Sequence, residues 1–186
     1  MKVKVNKVAI QLIQGDILSL DVNGIVTSTD PNLHLNPALL LRAGLKLQEA
    51  VKDVGWCDIG DAVITEAGDL PFQKVIHAVG PRWGEGSERG KLANTTLACL
   101  RLAEQYRLRS LALPAISAGV LGYPLENCAR TIITQIIDYT FENPRFLRLV
   151  IICLDSLTAF TVFQNELRLQ VEQLKDAGEG EVTVSV

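Results

Sequence analysis

A repeated change of hydrophobic period is what most restricts the fold of this chain. Short apolar or β-branched runs closed by Gly or Pro alternate with longer stretches whose apolar residues recur at helical spacing. Val8, Ile10 and Leu12 alternate with polar neighbours and predict a strand that ends at Gly15-Asp16. Residues 24–28 (GIVTS), 62–65 (AVIT), 74–79 (KVIHAV), 110–113 (SLAL) and 147–154 (LRLVIICL) predict further strands.

The intervening segments predict helices. Over 37–54, Leu39, Ala43, Leu47, Ala50, Val51 and Val54 share one face, with Pro37 in the first turn and Asn36 as N-cap. Residues 91–107 place Leu92, Cys99, Ala103 and Tyr106 together. Pro124 opens a helix striped by Leu125, Cys128, Ala129, Ile132, Ile133 and Ile136. Asp155 or Ser156 caps a last one, with Phe160, Phe163, Leu167, Val171 and Leu174 inward. Such alternation implies an α/β fold whose mixed, largely parallel sheet is covered on both faces. A single domain over 1–175 accounts for it. From Asp176 the chain is Gly- and Glu-rich, then β-branched (VTVSV), which predicts a flexible tail over 176–186 or an added strand.

With 48% hydrophobic residues the chain has ample core material. Its net charge of −3 and lack of a basic run argue against a general nucleic-acid surface. Cys57, Cys99, Cys128 and Cys153 are far apart and His34 and His77 stand alone, so no metal site is expected and the thiols read as buried and free. Neither a signal peptide nor an apolar run of ~20 residues is visible, and a cytoplasmic protein without membrane contact is expected.

Ligands of open α/β sheets gather at strand carboxyl ends. Three segments qualify: 15–17, 28–36 and 115–123. In the third, Ser117, Ala118 and Gly119 carry little side chain, Gly119 and Gly122 permit unusual backbone angles, and a helix follows, which suits a phosphate. An ordinary strand–helix connection would use the same residues. Asp16 suits either a turn or an adenine amino group. Asp30 reads as a turn residue and Asn36 as a cap unless both flank a sugar. Inside an apolar strand, His77 reads as a satisfied core histidine. Ser117 has no evident base and is not a nucleophile candidate.

Taken together, four motifs resemble the macro domain family. They are Gln14-Gly15-Asp16-Ile17, Gly60-Asp61-Ala62-Val63-Ile64-Thr65, Leu70-Pro71 with Val75-Ile76-His77-Ala78-Val79-Gly80-Pro81, and Pro114-Ala115-Ile116-Ser117-Ala118-Gly119 with Gly122-Tyr123-Pro124. They fall in order across roughly residues 7–170. The resemblance implies a three-layer α/β/α fold and an ADP-ribose pocket without a cofactor. Asp16 would hold the adenine amino group with Ile17 beside it, while Ser117, Ala118, Gly119 and Val120, with Leu121 and Gly122, would line the diphosphate. ADP-ribosylated protein is an implied partner.

Departures fall on the distal-ribose side. Where hydrolytic members carry V-N-A-A-N, this chain has Val26-Thr27-Ser28-Thr29-Asp30, and where they carry a Gly-rich loop it has Leu33-His34-Leu35-Asn36-Pro37. Leu121 replaces a frequent aromatic, and Leu154 falls where a residue often stacks on adenine. An ionised Asp30 only accepts hydrogen bonds, unlike Asn. A macro domain that binds ADP-ribose or a related adenine nucleotide, with weak catalysis or none, is therefore expected. Its rivals are a hydrolase of ADP-ribosyl or ADP-ribose-ester bonds, with Asp30 and Asn36 as acting groups, and an interaction module that has lost its ligand.

Overall fold

A computed structural model describes residues 1–185. Eight strands form one sheet: β1 (Lys2–Val5), β2 (Val8–Gln14), β3 (Gly24–Ser28), β4 (Asp61–Thr65), β5 (Lys74–Val79), β6 (Ser110–Leu113), β7 (Leu149–Leu154) and β8 (Val182–Ser185). Their spatial order is β4-β5-β3-β6-β7-β2-β1-β8. The run from β5 to β2 is parallel throughout, while β4 and the β1–β8 pair attach antiparallel at opposite edges. This is the mixed, largely parallel α/β sheet expected.

Strand parity sends successive residues into two cores, one on each face. Along β7, Val150, Ile152 and Leu154 enter one core, with Leu111 and Leu113 of β6 beside them. Helices α3 (Glu88–Gln105), α4 (Leu125–Thr140) and α5 (Leu157–Ala177) close it. Ile151, Ala112 and Ile25 enter the other, covered by α1 (Pro37–Ala43) and α2 (Leu45–Val54). Helix α5 buries Phe163, Leu167 and Val171, each contributing ~1.5–3 kcal/mol of transfer free energy. Ser156 caps α5, its hydroxyl oxygen accepting the Ala159 N–H at 3.1 Å. No helix of the described residues is long and apolar enough to cross a membrane.

Three elements differ from the sequence reading. The helix expected over 37–54 is two, broken at Gly44, whose φ of 76° and ψ of −172° are not helical. L side chains rarely adopt that positive φ, so glycine suits the break, where the Asp69 N–H donates to Ala43 O at 2.9 Å. Helix α3 starts at Glu88 and ends before Tyr106, which is 43% exposed and not part of the apolar face. Finally, Val182–Ser185 is no flexible tail: it is the added strand β8, paired with β1. Asn6 fastens it by donating N–H to Glu181 O at 2.7 Å and accepting the Glu181 N–H on Oδ1 at 3.1 Å. Val186 lies outside the described residues.

Candidate functional site

Because β2, β3 and β6 run parallel, their carboxyl ends deliver three loops to one edge of the sheet. These are the segments beginning at Gly15, Thr29 and Pro114.

The β6 loop is shaped by backbone rather than side chains. Ser117 (φ 68°), Gly119 (φ 79°) and Gly122 (φ 74°) all adopt the left-handed region. For Ser117 this costs ~1–2 kcal/mol. Burial holds it there, and its carbonyl accepts the Tyr123 N–H at 3.0 Å. The Ala118 N–H is taken by Ala115 O at 3.1 Å and the Gly122 N–H by Gly119 O at 2.9 Å. Among the described residues, the N–H groups of Ser117, Gly119 and Val120 have no acceptor. A Cβ at Gly119 would meet nothing within 4 Å, and Val120 is 91% exposed, so the space above this turn is open. Three free donors around an open glycine can take an anion. Trp83, unassigned from sequence, braces the turn: its backbone N–H donates to Leu121 O at 2.9 Å and its ring meets Tyr123 edge-on at 5.0 Å. Gly80 is likewise required, since a Cβ there would fall 2.1 Å from the Ser117 hydroxyl.

Asp16 ends β2 as cap of a short turn over Ile17–Ser19, accepting the Leu18 N–H at 3.0 Å. Its other oxygen faces Arg42 Nη1 of α1 at 3.4 Å. Sequence gave no sign of Arg42, because the pair joins positions 26 apart through the fold. Ile17 packs partly on the α1–α2 core. Leu154 is no adenine platform: it is 1% exposed, and its parity turns it under α3–α5.

The β3 loop is a tight turn. Leu33 N–H donates to Asp30 O at 2.8 Å, and Leu33 itself has φ 59° while burying its side chain in the α1–α2 core. Asp30 Oδ1 accepts the Asn32 N–H at 2.9 Å, and Oδ2 meets His34 Nδ1 at 2.7 Å. Partial burial pushes the Asp30 carboxyl up, but hydrogen bonds and charge from His34, with the Asn32 N–H, outweigh it and hold the group below its ordinary range. Asn36 is the N-cap of α1, its Oδ1 accepting the Ala38 N–H at 2.9 Å. Leu33 and Leu35 turn toward the core, not over Gly119.

His77 is only half satisfied. Thr65 gives its hydroxyl proton to Glu66 O at 3.0 Å, so it accepts from His77 Nε2 at 2.9 Å, and buried Nδ1 has no partner. The four cysteines are buried and free; burial raises the Cys57 thiol to about 11 and the Cys128 thiol to about 12.

An anion-ready turn at the carboxyl ends of parallel strands is the arrangement of nucleotide-binding α/β folds. The family profile described as Macro domain matches residues 30–132. An O-acetyl-ADP-ribose deacetylase of Enterobacter sp. (strain 638) is 40% identical over 163 residues, 82% of this chain and 91% of the relative. An uncharacterized protein of Saccharolobus solfataricus is 38% identical, covering 84% and 90%. The Oceanobacillus iheyensis macrodomain solved with ADP superimposes with a TM-score of 0.87 at 28% identity, covering 93% of this chain and 97% of that one. This chain belongs to the macro domain family.

Proposed function

We propose that the chain binds ADP-ribose or a related adenine diphosphate along this edge, with the diphosphate on the β6 loop and adenine beside Asp16. The observation that carries the reading is the trio of unpartnered N–H groups at Ser117, Gly119 and Val120 around open Gly119. The solved relative with ADP supports the same ligand class. On the distal-ribose side the β3 loop is closed by its own contacts, so the terminal ribose adds little affinity.

Calorimetric titration with ADP and ADP-ribose tests this. Both ligands bind with similar affinity, and Gly119→Glu abolishes binding by placing a side chain over the donors. Much tighter binding of ADP-ribose than ADP would refute the account of the β3 loop. No heat from either at millimolar concentration would refute the site.

A second reading, ester hydrolysis, is favoured by the deacetylase name of the 40% identical relative. Asp30 itself suits that poorly as base. Its oxygens are occupied by Asn32 and His34, and its carboxyl lies below the ordinary range, which lowers its proton affinity.

A further inference from the structure

The β3 loop, which leaves the sheet beside the strand that carries the anion turn, holds a histidine in a defined orientation. Asp30 Oδ2 lies 2.7 Å from His34 Nδ1. A carboxylate only accepts hydrogen bonds, so Nδ1 carries the proton and the lone pair of the neutral ring is on Nε2. The side chain is 76% exposed, which leaves the ring open to water.

An exposed pair at this spacing usually contributes little to stability. Here, however, the surrounding loop is fixed at several points. Thr29 Oγ1 donates to His34 O at 2.7 Å, Asp30 Oδ1 takes the Asn32 N–H, and Leu33 is anchored in the core despite its left-handed backbone. Strain of that kind concentrates at working sites. The parallel pairing of β3 with β6 brings this loop off the strand next to the anion turn, at the same edge.

We propose that His34, oriented by Asp30, is the general base for hydrolysing an acyl ester on the terminal ribose of bound ADP-ribose. The proposal rests on the adenine-diphosphate pocket described above. Nε2 takes a proton from water while the hydroxide oxygen bonds to the ester carbonyl carbon. As the tetrahedral intermediate collapses, the bond from acyl carbon to ribosyl oxygen breaks. The imidazolium returns its proton to that oxygen. The products are ADP-ribose with a free hydroxyl and the carboxylic acid, which ionises in solution. Asp30 is a positioning residue in this scheme: it sets the tautomer and stabilises the imidazolium.

The test pairs O-acetyl-ADP-ribose turnover with ADP binding on the same proteins. His34→Ala is expected to lose ~10²–10⁴-fold in kcat while ADP affinity stays at the wild-type value. Added imidazole restores part of that lost rate, an effect that repair of structure alone would not produce. Asp30→Asn keeps an oxygen for the Asn32 N–H and lowers kcat with ADP binding intact. Wild-type turnover in His34→Ala, or no turnover by a wild-type protein that binds ADP, overturns the base assignment and leaves the pocket standing. Failure of the wild type to bind ADP overturns the pocket and the base assignment together.

Discussion

Replacing Gly80 with alanine measures how closely the end of β5 supports the anion turn. Gly80 lies outside the left-handed region, so alanine suits its backbone and any penalty arises from contact alone. The new Cβ would stand 2.1 Å from Ser117 Oγ and 2.8 Å from Ile116 Cγ2. Good carbon contacts lie at ~3.5–4.0 Å. Ser117 has little room to retreat, being 1% exposed and tied to the Tyr123 N–H. Overpacking of this sort costs ~1–3 kcal/mol, or ~2–12 °C in Tm for a domain of this size. Urea denaturation should show that loss, and calorimetry should show weaker ADP binding as the turn shifts. In a Ser117→Gly background the nearest obstacle is gone and glycine suits φ 68°. There the penalty of Gly80→Ala should shrink by ~1 kcal/mol or more. Equal destabilisation in both backgrounds would refute the reasoning, because Ser117 would then not be what Gly80 makes room for.

Two further substitutions separate structure from chemistry. Burial lowers the His77 imidazole to about 4 from its ordinary 6.5, so its contribution is full above pH 6.5 and is lost as pH falls toward 4. That shift corresponds to ~3 kcal/mol. Urea midpoints measured from pH 7 to 4 should fall more steeply for wild type than for His77→Gln, and parallel slopes would contradict the assignment. Asn36→Ala removes the α1 cap and should cost ~0.5–2 kcal/mol of stability in thermal melts. It should leave O-acetyl-ADP-ribose turnover in place; lost turnover at full stability would return Asn36 to the chemistry.

The fold was legible where hydrophobic period alone decides. Each apolar run named from sequence lies on a strand of the sheet, and the stripe from Leu125 to Ile136 lies on α4. What escaped was set by contacts between distant segments. Gly44 sits inside an unbroken amphipathic pattern, and the break belongs to the fold, where Gly44 takes a positive φ and the distant Asp69 N–H takes the Ala43 carbonyl. The β8 strand depends on Asn6, 175 positions away from Glu181. At the site, small residues marked the β6 turn, since close backbone approach needs them. The Arg42–Asp16 pair left no local trace. Leu154 could have been placed from parity, for it shares the face of Val150 and Ile152, which lies under helices.

The two sides of the crevice use different materials, and that difference governs how each can change. The β6 turn offers backbone N–H groups, which every residue but proline supplies, so its function depends on conformation and on keeping space clear over Gly119. Adding a side chain is the damaging change there. The β3 loop offers side chains, and its conformation is held by Thr29, Asp30 and buried Leu33 rather than by glycines. Removing a functional group is the damaging change here. A loop built this way can change its sequence while the anion turn on the neighbouring strand stays unaltered. On the hydrolysis proposed above, the same contacts divide the roles of the two side chains. Asp30 is committed to holding the loop and the His34 ring, and it engages that ring through Nδ1.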